Sequence, residues 1–228
     1  MPTYQEFLAG QLILVDKPLR WTSFDVVNKL RSVLKIKKIG HAGTLDPLAT
    51  GLLLVCTGKM TKQIETFMHQ EKEYETTIVI GKTTPSFDLE TPFDTQTDWT
   101  HLTESEIRQV ILSFQGEIWQ VPPQYSAVKV NGKPAYRAAR KGETLSLAPK
   151  RVTIYSLDIL EMQLPEIRCR VICSKGTYIR SLARDIGQKL GVGAYLSSLR
   201  RTRIGNFTID KAIRVEDFSS LLSTNFVD

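Results

Sequence analysis

The sequence predicts a mixed α+β fold, in which helices flank a largely antiparallel central β-sheet. Apolar and polar residues alternate with period two in several consecutive stretches, which is typical of half-buried strands. Helical patterns separate only some of these stretches, so few β-α-β crossovers are available. Because parallel strands need such crossovers, antiparallel pairing is favoured.

The first third of the chain predicts three strands and two helices. They are a strand over residues 11–15, a helix capped by Thr22 or Ser23, a strand over residues 52–56, a helix over residues 59–69 and a strand over residues 72–81. The first helix carries apolar residues such as Val26 and Leu30 at helical spacing. In the last strand, every second residue from Tyr74 to Ile80 falls on one side.

The rest of the chain begins with an acidic stretch over residues 85–102, whose two prolines predict a surface loop. Thr103 and Glu106 then have the spacing of a capping box, which opens a helix that extends to about Phe114. The remaining predicted elements are strands over 116–120 and 126–130, a turn at Asn131-Gly132, a basic helix over 134–142, strands over 151–162 and 167–173, a helix over 177–190 stopped by Gly191, an extended region over 196–209 and a terminal helix over 215–222. The basic helix is polar on every side, so we do not expect it in the core.

The composition is that of a soluble globular protein with an excess of basic residues. Of 228 residues, 42% are hydrophobic and 24% are charged, and the net charge of +6 favours a polyanionic partner without requiring one. The basic residues gather in clusters, whereas residues 85–106 contain no Lys or Arg. The clusters are Lys35-Lys37-Lys38, Arg137-Arg140-Lys141, Lys150-Arg151, Arg168-Arg170-Lys175 and Arg200-Arg201-Arg203. They predict a phosphate-facing surface, although basic runs are also common on solvated faces.

Several classes of protein are disfavoured. The three cysteines (Cys56, Cys169, Cys173) form no Cys-x-x-Cys pair and the three histidines are scattered, which argues against a disulfide framework and a zinc site. No apolar run approaches the roughly 20 residues that span a bilayer, and no signal peptide is recognisable. We therefore expect a cytoplasmic protein with no membrane partner.

The stretch most indicative of chemistry is the loop over residues 39–51, Ile-Gly-His-Ala-Gly-Thr-Leu-Asp-Pro-Leu-Ala-Thr-Gly. Its three glycines permit positive φ and a close approach of another molecule, and Pro47 restricts the conformation of Asp46. We predict a rigid loop between two strands, with the Asp46 carboxylate at its tip. The same pattern would fit an ordinary hairpin loop whose aspartate bonds its own backbone.

Residues Gly40 to Gly51 resemble the catalytic motif of the TruB family, the tRNA pseudouridine-55 synthases. Five other stretches agree with that family in order and spacing. They are Val15-Asp16-Lys17-Pro18, Lys72-Glu73-Tyr74, Pro122-Pro123-Gln124-Tyr125-Ser126-Ala127, Ser174-Lys175-Gly176-Thr177-Tyr178-Ile179-Arg180 and Leu199-Arg200-Arg201-Thr202-Arg203-Ile204-Gly205. The resemblance spans nearly the whole chain and implies the pseudouridine-synthase fold.

The resemblance also implies an isomerase that flips out the T-loop uridine of tRNA (position 55), breaks its N1–C1′ bond and rejoins the base through C5, without a metal or organic cofactor. Asp46 is the nucleophile by position, and a carboxylate can act as a covalent catalyst at a sugar carbon. Arg180 matches the cation that keeps Asp46 ionised, although a phosphate contact or a surface charge is the alternative. Tyr74 matches the tyrosine that stacks on the target base, its alternative being a half-buried strand residue.

Four further residues match positions that contact the RNA in the family. His41 matches a histidine that enters the RNA fold where the base leaves the stack. Tyr178 and Leu199 match residues that line the pocket of the flipped base, although a leucine is more often a core residue. Lys17 matches a lysine near the site that supports structure or contacts phosphate.

Residues 124–150 correspond to a family insertion that closes over the T-loop. We expect its basic residues Arg137, Arg140 and Lys141 to contact the RNA backbone. Their composition suits a mobile clamp on phosphates.

We expect a single catalytic domain over residues 1–228 that acts as a monomer on the T-stem loop of tRNA, without an obligate protein partner. Many bacterial members continue into a C-terminal RNA-binding domain of the PUA type, which we do not expect here because the chain ends soon after Gly205. The alternatives are the same chemistry on another RNA, an RNA-folding module without chemistry, and a nucleoside-cleaving glycosidase. A glycosidase would normally have a second carboxylate nearby, and a pure binding module has no use for Asp46 facing RNA.

Overall fold

The computed structural model describes residues 3–130 and 132–221. Contacts divide the chain into two compact units, one with the residues up to Tyr74 and those from Arg200 onward, the other with Glu75–Leu199. The helices are α1 (Tyr4–Ala9), α2 (Ser23–Leu34), α3 (Ile64–His69), α4 (Glu104–Leu112), α5 (Ala135–Ala139) and α6 (Ile179–Leu190), and 3₁₀ helices cover Gly58–Gln63, Ile209–Lys211 and Val215–Leu221. The strands are β1 (Leu12–Lys17), β2 (Ile39–Ala42), β3 (Thr50–Thr57), β4 (Lys72–Ile80), β5 (Lys82–Thr83), β6 (Thr95–Gln96), β7 (Gly116–Gln120), β8 (Lys129–Val130), β9 (Lys133–Pro134), β10 (Lys150–Gln163), β11 (Glu166–Cys173), β12 (Ala194–Ile204), β13 (Phe207–Thr208) and β14 (Ile213–Arg214).

Strand β3 is the centre of the first unit. It pairs antiparallel with β1 along one edge, from Gly51 opposite Lys17 to Cys56 opposite Leu12. The other edge of β3 pairs with two strands. The C-terminal part of β3 pairs with β2, and the first residues of β3 pair in parallel with β12, where Arg201 lies opposite Gly51. The start of β3 is therefore held between two strands.

Both faces of β3 are also covered by apolar side chains. Leu53 packs in one cluster with Val26 and Leu30 of α2, whereas Leu54 belongs to a second cluster with Ile204. Since neighbouring residues of a strand point to opposite faces, a strand covered on both sides has a continuous apolar sequence. This explains the unbroken run of strand-forming residues after Gly51.

In the second unit the strand order is β4-β11-β10-β7, and β10 is antiparallel to both β11 and β7. Helix α4 begins with the predicted capping box, in which the amide of Glu106 donates to the Thr103 hydroxyl at 3.3 Å. Helix α6 buries one stripe that includes Leu182 and Ile186, and it ends at Gly191. Its first turn carries Arg180, so this buried stripe fixes the position of that side chain.

The predicted α+β class and its mostly antiparallel sheet are confirmed. The capping of α2 by Thr22 and the alternation of β4 are also confirmed, because both patterns are local in sequence. Helix α1 was not predicted, the helix expected over 59–69 is a 3₁₀ helix followed by α3, and only Lys129–Val130 of the strand expected over 126–130 forms. Asn131 of the expected turn and Leu222 of the expected terminal helix lie outside the described residues.

The prediction that residues 85–102 form a surface loop is wrong for its first part. Ser86 is fully buried and Asp88 is nearly so. The hydroxyl of Ser86 lies 2.8 Å from that of Thr91, and its backbone carbonyl accepts a hydrogen bond from Arg180. The acidic composition indicated solvent exposure, but a buried arginine provides the compensating charge. Over the described residues, no helix is long and apolar enough to cross a membrane.

Candidate active site

Asp46 lies in the loop that joins β2 to β3, and it is half-buried. The loop spans residues 43–49 and closes with a turn in which the amide of Ala49 donates to the carbonyl oxygen of Asp46 at 3.1 Å. The expected arrangement, a carboxylate on a short loop between two strands, is therefore confirmed. We refer to residues 43–49 as the Asp46 loop.

The neighbours of Asp46 in sequence are both fixed by the segment that follows β1. The buried Ser23 hydroxyl accepts from the amide of Leu45 at 2.9 Å and donates to its carbonyl oxygen at 3.3 Å. The amide of Arg20 donates to the carbonyl oxygen of Pro47 at 2.8 Å. Because the residues before and after Asp46 are held, its backbone is positioned without any ligand, which is the preorganisation that catalysis requires.

Lys17 lies beneath the Asp46 loop and is completely buried. Its ammonium group donates to the carbonyl oxygens of Trp21 at 2.5 Å and Pro18 at 3.0 Å, and lies 3.5 Å from that of Pro47. Burial lowers the pKa of Lys17 from 10.5 to about 8; the charge of Asp46 opposes this shift and that of Arg201 adds to it. Of the two expected roles, its burial favours support of structure over contact with phosphate.

Arg201 is a residue of this site that the sequence did not single out. The sequence predicts that it belongs to a phosphate-facing basic cluster, but only 1% of it is accessible to solvent. Its Nε donates to the carbonyl oxygen of Leu52 at 2.7 Å and its Nη2 to that of Gly43 at 3.0 Å. The neighbouring Arg200 points elsewhere and pairs with Asp16 through two hydrogen bonds of 2.7 and 3.1 Å. One signal could have identified Arg201, since adjacent residues of a predicted strand must face opposite sides.

Two glycines close to Arg201, Gly43 and Gly51, have positive φ. Gly51 has φ of +100°, and a Cβ there would lie 2.3 Å from the carbonyl oxygen of Arg201. Gly43 has φ of +84°, and a Cβ there would lie 3.5 Å from the Arg201 guanidinium. Positive φ is the conformation that glycine adopts without strain. Gly51 therefore lets the start of β3 lie against the backbone of Arg201, whereas Gly43 provides the positive φ with which the Asp46 loop begins.

His41 lies on β2, immediately before the Asp46 loop, and its Nδ1 is buried with no hydrogen-bond partner among the described residues. Burial lowers the pKa of His41, and the charge of Arg201 lowers it further. A neutral imidazole at neutral pH follows. The expected role of His41 in the RNA fold stays a prediction.

Tyr74 is buried on β4, with 8% of it exposed. Its neighbour Glu73 accepts a hydrogen bond from the Thr202 hydroxyl at 2.8 Å and pairs with Arg203 at 3.4 Å. These contacts attach β4 to the end of β12. The stacking role of Tyr74 on a base stays a prediction.

Arg180 lies in the second unit and is 3% exposed. Its two terminal nitrogens donate to the carbonyl oxygens of Ser86 at 3.0 Å and Tyr125 at 2.8 Å, and its Nε lies 3.6 Å from a carboxylate oxygen of Asp88. Burial to this extent excludes the alternative of a surface charge. Arg180 therefore holds together the start of α6, the buried part of the acidic segment and the Pro-Pro-Gln-Tyr-Ser stretch.

Tyr178 and Leu199 are both half-buried. Tyr178 is the cap residue of α6, and its amide donates to the side-chain oxygen of Gln120 at 2.8 Å. Gln120 is buried at the end of β7 and was not singled out from the sequence. Its effect is to fix the backbone from which the side chains of Tyr178 and Arg180 project.

The basic insertion presents Arg137, Arg140 and Lys141 to solvent, as expected. Arg140 forms an exposed ion pair with Glu90 at 3.2 Å. The expectation that this helix is polar on every side is wrong, because the alanines of α5, Ala135 and Ala139, are buried. Small side chains let the helix pack closely while its basic residues face outward.

Comparison with known proteins agrees with the resemblance. Residues 31–179 match the model of the TruB family pseudouridylate synthase N-terminal domain, and residues 180–226 match that of the tRNA pseudouridylate synthase B C-terminal domain. Proteins named tRNA pseudouridine synthase B from Parabacteroides distasonis and Flavobacterium johnsoniae are 52% and 49% identical, over 97% and 96% of this chain and 97% and 99% of their own lengths.

Solved structures confirm the predicted pseudouridine-synthase fold. A Cbf5-Nop10-Gar1 complex contains a chain that is 33% identical and superposes with a TM-score of 0.76 over 96% of this chain. The structure of an H/ACA RNP bound to a substrate RNA containing 2′-deoxyuridine contains a chain that is 30% identical and superposes with a TM-score of 0.72, also over 96% of this chain. This chain spans 56% and 55% of those two solved chains. The match of the catalytic motif, the matched domain models and the close relatives together establish that the chain belongs to the TruB family of pseudouridylate synthases.

Proposed function

We propose that this protein is a tRNA pseudouridine synthase that isomerises the T-loop uridine at position 55, with Asp46 as its nucleophile. One observation carries the proposal for Asp46. Its loop is held on both sides by hydrogen bonds from Ser23 and Arg20, above the buried cations Lys17 and Arg201. A carboxylate can add to an electrophilic carbon, and this loop holds the Asp46 carboxylate in a fixed position for that step.

The reaction needs no oxidant, reductant or metal. The N1–C1′ bond breaks, the uracil turns, a C5–C1′ bond forms, and the proton on C5 is lost while N1 gains one. The protein must hold the detached base, because a free base would diffuse away before the new bond forms. A half-buried nucleophile on a fixed loop suits such a sequence of covalent steps.

The remaining residues take the roles that family membership supports. Arg180 keeps Asp46 ionised, Tyr74 stacks on the target base, and Tyr178 and Leu199 line its pocket. His41 enters the RNA fold where the base leaves, as a neutral imidazole. The exposed arginines of the insertion hold the backbone of the T-stem loop.

The experiment uses a T-loop hairpin labelled with tritium at C5 of its uridines. We expect the purified protein to release one tritium per RNA and to place pseudouridine at the single position that corresponds to uridine 55. A hairpin with cytidine at that position is the control and should release none. Tritium release from a ribosomal RNA fragment but not from tRNA would show that the substrate is another RNA. Binding of RNA without tritium release from any RNA would favour an RNA-folding module.

A further inference from the structure

A cavity of about 440 Å³ in the first unit is bordered by four lysines. We name it the lysine pocket and define it by Lys35, Lys37, Lys38 and Lys59, with Tyr4 and Leu8 forming part of its wall. The four lysines are all exposed. No aspartate or glutamate is among the residues that line it.

The four ammonium groups have no anionic partner in the part of the chain that the structure describes. None of them belongs to an ion pair there, whereas arginine–carboxylate pairs are common elsewhere among the described residues. Like charges that surround one cavity repel each other and create a local positive potential. Such a site favours an anionic ligand, and lysine binds phosphate as a point charge without demanding a fixed geometry.

The lysine pocket lies at the opposite end of a hairpin from Asp46. In the β2–β3 pair, Ile39 lies opposite Thr57 and Ala42 opposite Leu54, so the Asp46 loop closes one end. Lys38 and Gly58 lie just beyond the other end, where the amide of Gly58 donates to the carbonyl oxygen of Lys38 at 2.9 Å. From Thr50 to Thr57 the strand extends about 23 Å at roughly 3.3 Å per residue. The two sites therefore lie at opposite ends of the hairpin, and an RNA must extend along it to contact both.

We propose that the lysine pocket binds backbone phosphates of the RNA substrate at a distance from the target uridine. This inference rests on the proposed function, which supplies a polyanion long enough to reach both ends of the hairpin. The pocket contributes affinity and register without reading sequence, as phosphate contacts do. It acts on binding only, since none of its residues belongs to the Asp46 loop.

Two double variants of equal net charge test this. Lys37→Gln/Lys38→Gln removes two charges from the pocket, and Lys29→Gln/Lys211→Gln removes two charges from exposed lysines outside it. Filter binding is measured over a range of salt concentrations for a series of T-loop hairpins with stems of increasing length and for full-length tRNA. Lys37→Glu/Lys38→Glu extends the series by reversing the charges, and thermal unfolding of each variant confirms that it folds.

We expect the pocket variant to bind long RNAs about tenfold more weakly at 0.1 M salt for each phosphate that it no longer neutralises, with a salt slope lower by about one per phosphate. The charge-reversed variant should bind more weakly still, while the shortest hairpins should bind all variants equally and turnover at saturating RNA should be unchanged. Equal losses of affinity for the pocket and control variants, or a loss independent of stem length, would overturn the proposal. Binding is measured separately from turnover. A wild-type protein that bound RNA in this way but formed no pseudouridine would therefore refute the proposed function, while the proposal for the lysine pocket would still stand.

Discussion

The guanidinium of Arg201 donates to the carbonyl oxygen of Gly43 across 3.0 Å, although the two residues are 158 positions apart in the chain. The same side chain donates to the carbonyl oxygen of Leu52. Gly43 begins the Asp46 loop and Leu52 follows its end, so one buried cation joins both ends of the loop. Removal of that cation would leave two carbonyl groups without their donor in a dry environment, which is costly.

We predict that Arg201→Met destabilises the protein by about 3–6 kcal/mol, because it removes two charge-assisted hydrogen bonds that contribute about 1.5–3 kcal/mol each. Arg200→Met is the matched control one residue away. It removes an ion pair with Asp16 that is partly exposed, which should cost under about 1 kcal/mol. Urea unfolding measures both. Similar losses of stability for the two variants would mean that the contacts of Arg201 are energetically equivalent to a surface pair.

Asp46→Asn should reduce pseudouridine formation to background while tRNA affinity holds or rises slightly. The amide keeps the shape of the side chain but lacks the anion that adds to carbon, and loss of a negative charge beside RNA relieves repulsion. Tritium release and filter binding on one preparation measure both quantities. Substantial remaining activity would remove Asp46 from the mechanism, and loss of activity together with binding would make it a structural residue.

Lys17 should produce opposite pH effects on activity and on stability. Above about pH 8 its folded form loses a proton, so the amine donates fewer hydrogen bonds near Asp46 and activity should fall. Its pKa in the unfolded chain is near 10.5, so the unfolded state binds more protons between pH 8 and 10.5. The free energy of unfolding should therefore rise with pH between pH 8 and 10.5. Below pH 8 the buried charge of Lys17 lowers the stability of the protein.

The comparison for Lys17 is with Lys17→Met, which keeps the apolar stem and cannot titrate. The variant should lose the fall in activity near pH 8 as well as the rise in stability between pH 8 and 10.5. Initial rates and urea unfolding across that range give both curves. If the variant retained the wild-type pH profile, another group would be responsible for it.

Arg180→Ala should lower turnover by about 10²–10³-fold, the typical effect of removing one preorganised electrostatic group, and Arg180→Lys should recover only part of that loss. Lysine keeps the charge but loses the planar fork that reaches Ser86 and Tyr125 together. Affinity for tRNA should change little. Arg184→Lys, one turn further along α6 and stacked on Phe87 at 4.9 Å, is the control and should keep normal turnover. Weakened binding with intact single-turnover rates would make Arg180 a phosphate ligand.

The insertion should contribute to affinity through salt-sensitive contacts. The triple variant Arg137→Gln/Arg140→Gln/Lys141→Gln should bind tRNA more weakly and with a flatter dependence on salt, by about one unit of slope for each phosphate that is no longer neutralised. Among single variants, Arg137→Gln should have a larger effect than Arg140→Gln, because Arg140 already shares its charge with Glu90. An unchanged slope in the triple variant would show that these residues face away from the RNA.

Features set by neighbouring residues could be predicted from the sequence. The capping of α2 by Thr22 involves residues three apart, and the burial of alternate residues in β4 follows from strand geometry alone. The position of Asp46 between two strands followed in the same way, from glycines and proline beside an apolar run. These elements needed no knowledge of the rest of the chain.

The features that were missed depend on pairing between distant parts of the chain. Arg201 is buried because β12 pairs in parallel with the start of β3, and no local pattern reveals that partner. Asp88 is buried because Arg180 lies against it, although its surroundings in sequence are acidic and proline-rich. For both residues the charge predicts exposure to solvent. In the structure, hydrogen bonds or an opposite charge from a distant part of the chain replace the hydration that each buried group loses.

Because Gly51 lies against the backbone of Arg201, we expect that no other residue is tolerated at position 51. The Cβ of an alanine there would lie 2.3 Å from the carbonyl oxygen of Arg201 in the neighbouring strand. The alanine would also have to adopt the positive φ of 100° that Gly51 has. Neither problem can be relieved by a rotamer change, because both involve backbone atoms. In a complete mutational scan scored for growth or activity, we expect alanine at this position to fail as completely as tryptophan, so that tolerance would not follow side-chain size.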